Sequence, residues 1–261
     1  MTDSKYVKET VLGTREWVPG KLFSITVSRP EHFEFKAGQF ARLGLAAPDQ
    51  PDAEPSVWRA YSLVNAPQQS PLEFYAIVVP DGEFSPRLAQ LKAGDPVYID
   101  RTLFGFLTID RFEPGGTLWL IATGTGLSAY LSMLHDPATW SAFDHIILVH
   151  GVRTCAELAY ADQIARWQAC AGTAPFNAQF TYLPIPTQES LPDTPRARIT
   201  TLIENGQLET LANAPLDPAT HKIMLCGNPA MVTDARNLLK TKGFVAGRRG
   251  VPGNLAVENY W

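Results

Sequence analysis

Four consecutive residues, Arg59, Ala60, Tyr61 and Ser62, place a cation, an aromatic ring and a hydroxyl together after a proline-rich loop. We interpret them as the beginning of a short strand in the stretch WRAYSLVNAP at 58–67. Strand alternation then points Arg59 and Tyr61 to one face, and Ala60 and Ser62 to the other. A cation beside an aromatic ring can hold a phosphate under a flat group. An ordinary strand has the same pattern, so these residues alone leave both readings open.

A glycine-rich turn, TGTGLSA, is the second candidate for chemistry. Gly124, Gly126 and Ala129 keep the G-x-G-x-x-[G/A] spacing, which permits a tight turn and close approach of the backbone to a ligand. A continuous apolar run at 117–122 precedes the turn and a helical pattern follows it. The start of that helix would offer unpaired N–H groups to a phosphate, although a purely structural turn fits equally well.

An arginine follows the next apolar run, HIILVHG at 145–151. An NAD-type site usually has an acidic residue at this point, whereas Arg153 suits a 2′-phosphate such as that of NADP. A solvated arginine at a strand end is equally compatible. We expect His150 beside it to be a packed loop histidine rather than a ligand.

Small residues follow a fourth predicted strand, HKIMLCG at 221–227. Open parallel sheets bind ligands beyond the carboxyl ends of their strands. Cys226, Gly227 and Asn228 are therefore expected to face the same crevice as Gly124–Gly126, although Cys226 also suits a buried structural position.

Residues up to about 110 have the pattern of a small antiparallel β-barrel, because short β-rich runs alternate with Gly, Pro and Asp turn signals. One short helix is predicted at SPRLAQLKAGD, with Ser85 as N-cap, Pro86 at the first helical position and Gly94 as its stop. The segment 46–57 is predicted to be an exposed loop. The predicted strands are 22–30, 38–45, 72–79 and 95–100.

The pattern changes after RFEPGG at 111–116, where apolar strands begin to alternate with helices. This alternation predicts a parallel sheet with helices on both faces. We therefore expect two domains, 1–112 and 113–261. The predicted elements are strands 117–122, 145–151, 177–185 and 221–227, and helices 156–169 and 228–243.

Composition limits the function further. A formal charge of −4 and a pI of about 5.7 disfavour nucleic acid as a general partner. No apolar run approaches the roughly 20 residues that span a bilayer, and the N-terminus lacks the apolar core of a signal peptide. Cys155, Cys170 and Cys226 lack metal-site or disulfide spacing, so we expect free thiols, no metal and a cytoplasmic location.

Taken together, R-x-Y-S, T-G-T-G, the arginine after VHG, C-G-N-P and the terminal VENYW resemble the bacterial ferredoxin (flavodoxin)–NADP⁺ reductases. The resemblance runs from about Val11 to Trp261, and the YW ending is similar to that of the enterobacterial subclass. It implies an N-terminal β-barrel that binds FAD and a C-terminal α/β domain that binds NADP(H). NADPH would deliver a hydride to the flavin N5, and electrons would then leave singly for ferredoxin or flavodoxin.

The resemblance also implies residue roles in FAD binding. Arg59 would hold the pyrophosphate, Tyr61 would pack against the flavin, and Ser62 would form a hydrogen bond near N5. The residues Tyr75–Val78 would lie beside the ribityl and adenosine parts, and EFS at 83–85 would meet the pyrophosphate. The remaining implied FAD contacts are Ala60, Tyr75, Ala76, Ile77, Val78, Glu83, Phe84, Ser85, Thr125, Tyr260 and Trp261.

On the NADP(H) side, the resemblance implies that Arg153 and Arg198 hold the 2′-phosphate. The family commonly has Ser/Thr-Arg after the third strand of this domain, whereas this chain has Thr187 and Gln188. One expected positive charge is therefore absent, and Arg196 is a candidate to compensate for it. The other implied NADP contacts are Gly124, Thr125, Gly126, Thr187, Gln188, Cys226, Gly227 and Asn228.

Near the reacting rings, the resemblance implies Ser62, Cys226, Glu258 and Tyr260. Glu258 would handle a proton or contact the nicotinamide. Tyr260 would stack on the flavin as a gate, and Trp261 would lie against the adenine.

We expect a monomer that docks its acidic acceptor through a local basic patch, with Arg101 or the pair Arg248 and Arg249 as candidates. An NADH-using flavin reductase subunit that serves an oxygenase is an alternative function. A non-catalytic FAD-binding redox sensor is another.

Overall fold

The computed structural model describes residues 4–50, 53–247 and 253–259. The chain divides into two compact units. The first contains the residues up to Phe106 together with Ser128–His135, and the second contains Leu107–Leu127 and the residues from Asp136 onward. Among the described residues, no helix combines the length and the apolar character needed to cross a membrane.

The first unit is built on an antiparallel sheet whose six strands, within the described residues, are ordered β4-β3-β6-β1-β2-β5. Among its described residues up to Phe106, one regular helix, α1, covers Ser85–Leu88. The strands are β1 (Tyr6–Val18), β2 (Leu22–Val27), β3 (Phe40–Ala46), β4 (Pro55–Ser62), β5 (Leu72–Ile77) and β6 (Pro96–Asp100).

The two outer strands of this sheet approach each other where β4 ends. A bridge pairs Leu63 with Phe74, and the N–H of Val64 donates to the carbonyl of Glu73 at 2.9 Å. The sheet therefore curls around a closed apolar core that includes Ile25 and Leu43, both without exposed surface. The predicted antiparallel barrel is confirmed.

Several local predictions in the first unit are wrong. The strand β1 was not predicted, since its charged residues obscure the alternation. The strand β4 begins inside the predicted loop 46–57 and ends at Ser62, whereas the sequence placed a strand from 58 onward. Proline at the first residue of an outer strand is tolerated because no ladder hydrogen bond is lost there.

The helix predicted over SPRLAQLKAGD ends after one turn. Phe84, rather than Ser85, is the N-cap residue, and the Ser85 hydroxyl accepts a hydrogen bond from the N–H of Val79 at 2.9 Å. Because that hydroxyl is used by the preceding segment, it does not cap the helix. Gly94, at φ +98°, stands instead in the turn that leads into β6.

The second unit is built on a parallel sheet whose described strands are ordered β11-β10-β7-β8-β9. This confirms the predicted α/β domain and adds a strand at its edge. The strands are β7 (Thr117–Thr123), β8 (His145–Val152), β9 (Gln179–Pro186), β10 (His221–Gly227) and β11 (Leu255–Asn259).

Helices cover both faces of this sheet. Trp119 and Ile147 lie on one face, in a buried cluster that also contains residues of the helices at 199–204, 207–212 and 229–241. On the other face, Trp140 packs against Phe180 with ring centroids 5.4 Å apart. The helices of this unit are α3 (Pro137–Ala142), α4 (Ala161–Cys170), α5 (Ile199–Glu204), α6 (Gln207–Ala212) and α7 (Pro229–Thr241), and they follow α2 (Leu127–His135), whose residues from Ser128 onward group with the first unit.

One prediction in the second unit is corrected, and one strand was not predicted. The helix predicted at 156–169 begins only at Ala161, because Tyr160 has a left-handed backbone (φ +59°) that a right-handed helix cannot contain. The segment 155–157 before it forms a separate 3₁₀ turn. No strand was predicted around Glu258, where β11 pairs with β10 along its length.

Candidate functional site

In the first unit, the R-x-Y-S residues occupy the last four positions of β4. Arg59 is exposed, and within the described residues its Nη1 donates to the adjacent carbonyl of Trp58 at 2.7 Å. Tyr61 is half-buried and Ser62 is buried. The guanidinium therefore reaches solvent while the two following polar residues are packed into the unit.

The structure brings Tyr61 close to the second predicted FAD segment, at residues 83–85. Its ring lies 5.9 Å from that of Phe84, centroid to centroid, at an interplanar angle of 32°. Burial raises the pKa of Tyr61 to about 12, so the phenol stays neutral at physiological pH. Glu83 beside this pair is exposed, and Ser85 is buried.

The third predicted FAD segment, Tyr75–Val78, is joined to the same neighbourhood through its carboxyl end. Tyr75 and Ala76 are buried in β5, while Ile77 and Val78 are half-buried. The hydrogen bond from Val79 to Ser85 fastens the end of this segment to the start of α1. The three segments that the sequence singled out thus converge at one end of the barrel.

In the second unit, Gly124–Gly126 forms a single 3₁₀ turn between β7 and α2, which we call the glycine turn. Gly124 has φ +54°, where glycine avoids the strain of other residues. A Cβ at Gly126 would stand 2.7 Å from the carbonyl oxygen of Cys226, and one at Gly227 only 2.5 Å from that of Thr123. The glycine turn is therefore packed directly onto the end of β10.

The backbone N–H and the side chain of Asn228 both form hydrogen bonds within the protein. Its N–H donates to the hydroxyl of Thr123 at 2.8 Å. Its side-chain oxygen caps α7 by accepting from the N–H groups of Ala230 and Met231, at 3.0 and 3.2 Å. The predicted nucleotide contact of Asn228 thus has a structural role as well.

A row of paired residues crosses the carboxyl end of the sheet. Glu258 is opposite Cys226, Cys226 is opposite Ala122, and Ala122 is opposite His150. Paired residues of neighbouring strands share one face, so these four side chains form a cross-strand row. The sequence predicted Cys226 and Glu258 but missed their alignment with His150. Cys226 is buried and is not part of a disulfide within the described residues.

His150 lies within β8 rather than in a loop, and it is fully buried. Its Nε2 stands 3.1 Å from the carbonyl oxygen of Gly124, so the ring nitrogen is the donor. Burial lowers the pKa of His150 to about 4, against smaller raising effects of the Gly124 bond and Glu157. The imidazole is therefore neutral at physiological pH. A polar residue inside an apolar run was the available sequence signal.

Arg153 extends from the end of β8 and is exposed. Glu157, a buried carboxylate, accepts from the N–H of Arg153 at 3.0 Å and stands 3.5 Å from its Nε. The N–H of Thr187 donates to the carbonyl of Val152, and that of Gln188 to the carbonyl of Arg153, at 2.9 and 2.8 Å. The two strand ends that carry the predicted 2′-phosphate contacts therefore stay side by side.

Two further arginines follow on the segment that leads into α5. Nε of Arg196 donates to the carbonyl of Thr187 at 3.2 Å, which holds this exposed cation against the end of β9. Arg198 is exposed at the N-cap position of α5. Glu189 adds a negative charge nearby and accepts from the N–H of Cys155 at 2.6 Å. The surroundings of the predicted phosphate contacts thus contain carboxylates as well as cations.

Four predicted residues lie outside the described part of the chain. They are Tyr260, Trp261, Arg248 and Arg249.

The second unit contains a match to a family model described as the oxidoreductase NAD-binding domain, over residues 120–237. Among solved structures, a ferredoxin NADP⁺ reductase from Neisseria gonorrhoeae with bound FAD and NADP is similar to this chain, with a TM-score of 0.90. The two are 32% identical, and the match covers 99% of this chain and 100% of that one.

Curated relatives extend the similarity over both units. Ferredoxin–NADP reductase A of Sorangium cellulosum is 37% identical over 97% of this chain and 89% of its own. Flavodoxin/ferredoxin–NADP reductase of Escherichia coli is 38% identical over 94% of this chain and 99% of its own. Such identity over nearly full lengths shows common descent, and the chain belongs to the ferredoxin (flavodoxin)–NADP reductase family.

Proposed function

We propose that the protein transfers electrons between NADPH and ferredoxin or flavodoxin, with FAD as its bound cofactor. The observation that carries this proposal is the similarity to named reductases over both units, at 37% and 38% identity. FAD, when bound, supplies the conversion between a two-electron donor and one-electron acceptors. The protein has to bind, orient and shield the two nucleotides.

The first unit has residues that fit FAD. The Arg59 guanidinium is exposed and, in the described part of the chain, hydrogen-bonds to its neighbour's carbonyl alone, so we propose it for a charge-assisted bond to the pyrophosphate. The ring of Tyr61, held beside Phe84, offers an aromatic surface for the flavin. The one-turn helix α1 is too short to give a strong dipole, so Arg59 rather than Ser85 is our main pyrophosphate contact.

The second unit has residues that fit the phosphates of NADP(H). The glycine turn leads into α2, and no Cβ hinders approach to Gly124 and Gly126. The packing of Gly126 against Cys226 and of Gly227 against Thr123 fixes this backbone before a ligand arrives. A preformed cradle of this kind lowers the ordering cost of binding.

The proposed roles of Ser62, Cys226, Glu258 and Tyr260 near the reacting rings come from the family resemblance. The pairing of Cys226 with Glu258 supports a shared role for these two residues. Glu258 is half-buried at the carboxyl end of the sheet, where a carboxylate can exchange a proton with solvent. Thr125 of the glycine turn is proposed to contact both nucleotides.

For the 2′-phosphate we propose three arginines, with Arg196 in part replacing the cation that is absent at Gln188. The hydrogen bond from Arg196 to Thr187 supports this role because it keeps the guanidinium next to position 188. Arg153 and Arg198 are the other two. Glu157 and Glu189 offset part of this positive charge, so we expect a weaker preference for NADPH than three arginines alone would give.

We further propose a monomer in the cytoplasm that does not bind nucleic acid and has domains 1–112 and 113–261. The acceptor would dock through Arg101, which is exposed, or through Arg248 and Arg249. The net charge of −4 supports a local patch rather than a general attraction to an acidic protein.

Addition of NADPH to the FAD-loaded protein without oxygen tests the proposal. We expect the yellow flavin absorbance to bleach, and to bleach more readily with NADPH than with NADH. Titration with ferredoxin and flavodoxin should then restore it. A preference for NADH with no reaction toward either acceptor would favour an oxygenase-serving flavin reductase. Unchanged colour with both nucleotides would favour a redox-sensing module.

A further inference from the structure

A buried histidine, His150, lies next to the glycine turn. It is not among the nucleotide contacts proposed above. His150 has no exposed surface, and it occupies the cross-strand row with Ala122, Cys226 and Glu258. Burying an imidazole is costly unless the ring is hydrogen-bonded. The hydrogen-bond partner of the His150 ring therefore indicates what this residue does.

That partner is the carbonyl of Gly124, 3.1 Å from Nε2. The N–H of Leu127, the first residue of α2, is shared between this oxygen and the carbonyl oxygen of Thr125. Two donors thus contact the Gly124 carbonyl, which restrains the peptide plane that joins Gly124 to Thr125. Restraint matters here because Gly124, at φ +54°, is a glycine and has more conformational freedom than residues with a side chain.

The orientation of this plane determines where the next donor points. In a planar trans peptide the carbonyl and the following N–H are directed oppositely. With the Gly124 carbonyl turned toward His150, the N–H of Thr125 is turned away from the buried imidazole. The hydrogen bond to the carbonyl also polarises the peptide, which makes that N–H a better donor.

The imidazole acts here as a neutral group. Burial lowers the pKa of His150 to about 4, although Glu157 works in the opposite direction. Its Nδ1 has no hydrogen-bond partner in the part of the chain that the structure describes. Protonation would therefore add a buried N–H without an acceptor, so the ring stays in the Nε2–H form that Gly124 requires.

We propose that His150 is a positioning residue for the nicotinamide dinucleotide: its Nε2–H holds the Gly124 carbonyl so that the N–H of Thr125 meets a phosphate of the ligand. This inference rests on the proposed function, since it takes NADP(H) as the ligand of the glycine turn. It adds a residue that makes no ligand contact itself and acts through one backbone peptide.

The test measures NADP⁺ affinity by calorimetry on the FAD-loaded protein. The amide nitrogen of His150→Gln can take the place of Nε2, whereas the shorter side chain of His150→Asn cannot reach Gly124. We expect His150→Asn to weaken NADP⁺ binding about three- to tenfold, the equivalent of one neutral hydrogen bond. His150→Gln should stay within about twofold of the wild type, and FAD content should be unchanged.

His145→Gln is the matched control. His145 begins the same strand, at its opposite end, and its Nε2 is also hydrogen-bonded, to the Thr181 hydroxyl at 2.8 Å. Equal NADP⁺ affinity of wild type and His150→Asn would overturn the inference alone. Equal weakening in His150→Gln and His150→Asn would also overturn it, because the bond to Gly124 would not be the cause. Absence of NADP⁺ binding in the wild type would overturn the proposed function, and the inference with it.

Nitrogen NMR of the wild type gives a second test that needs no stable Asn variant. The signal of His150, identified by its loss in His150→Gln, should show the neutral Nε2–H form from pH 8 to pH 5.5. The amide signal of Thr125 should shift when NADP⁺ is added. A His150 ring in the Nδ1–H form would overturn the inference. A Thr125 amide signal that does not shift when NADP⁺ is added would also overturn it.

Discussion

In the first unit the proposed FAD contacts are side chains that extend from β4 and from the start of α1. In the second unit the proposed NADP(H) contacts are largely backbone groups of the glycine turn. Arg59 reaches solvent with one local hydrogen bond, whereas Gly126 is packed against Cys226 and Gly124 is held by His150. The proposed FAD site depends on the functional groups of its side chains. The proposed NADP(H) site depends on the packing that holds its backbone.

This difference predicts how each site fails. Removing a side chain from the first unit should subtract one contact and leave the barrel intact. Adding a Cβ to a glycine of the glycine turn should displace the backbone. The free energy of unfolding and NADP⁺ binding should then change together. The predictions below test this contrast, beginning with the largest effect.

The substitution Gly126→Ala is expected to have the largest effect. Its Cβ would stand 2.7 Å from the carbonyl oxygen of Cys226 and 2.8 Å from the N of Gly227, closer than real atoms approach. We expect a loss of roughly 1–3 kcal/mol in the free energy of unfolding, together with weak NADP⁺ binding. Denaturant unfolding and calorimetry measure the two effects.

Gly13→Ala in β1 is the control, because a Cβ there meets nothing within 4 Å. It should leave both quantities unchanged. If Gly126→Ala unfolds and binds NADP⁺ like the wild type, the glycine turn is not supported by packing, and the contrast between the units fails.

A pH dependence of stability is expected from the second unit. Burial lowers the pKa of His145, His150 and His221, that of His150 from 6.5 to about 4. Below pH 6.5 the unfolded chain therefore binds more protons, and stability falls as the pH falls toward 4. The pKa difference of about 2.5 for His150 corresponds to about 3.5 kcal/mol, at about 1.4 kcal/mol per pKa unit.

Denaturant unfolding at pH 7.5, 6 and 5 measures this dependence. His150→Gln should make the slope between pH 6 and pH 5 shallower. An identical slope in the variant would mean that His150 is not the buried neutral group on which the glycine turn depends.

In the first unit, Arg59→Ala should weaken FAD retention. A charge-assisted bond to phosphate contributes roughly 1.5–3 kcal/mol, so we expect FAD to bind about ten- to hundredfold more weakly. Thermal unfolding of the FAD-free protein should not change, because Arg59 is exposed. Arg15→Ala on β1, another exposed arginine, is the control. Retention equal to that of the wild type would remove Arg59 from the site.

The smallest effects are expected at the 2′-phosphate. Arg196→Ala should raise the KM for NADPH about three- to tenfold, and Gln188→Arg should lower it by a similar factor. The KM for NADH should hardly change in either case. Arg166→Ala, an exposed arginine on α4, should have no effect. Unchanged selectivity in Arg196→Ala would leave Arg153 and Arg198 as the phosphate contacts.

The parts of the fold that follow from local pattern were predictable from the sequence. Continuous apolar runs identified β7, β8 and β10, and their alternation with helices identified the parallel sheet. The strand β1 was missed because its sequence, YVKETVLGTREWV, mixes charged residues with apolar ones. Its pairing with β2 and β6, rather than its own pattern, makes it a strand.

Some of the site residues were likewise predictable from the sequence, and others were not. The glycine turn and the residues at strand ends are set by neighbouring sequence, and motif spacing found them. The role of His150 depends on a carbonyl 26 positions earlier in the chain, and that of Arg196 on the end of a strand nine positions earlier. The pairing of Glu258 with Cys226 depends on which strand lies at the edge of the sheet. Sequence pattern does not encode such distant pairings.

The central claim is that NADPH electrons reach ferredoxin or flavodoxin through this protein. The most direct measurement mixes the FAD-loaded protein with NADPH and oxidised ferredoxin or flavodoxin without oxygen, and follows the acceptor spectrum. We predict catalytic reduction of at least one acceptor, faster with NADPH than with NADH, and loss of that preference in Arg153→Ala. Rapid bleaching of the flavin with no reduction of either acceptor would contradict the claim.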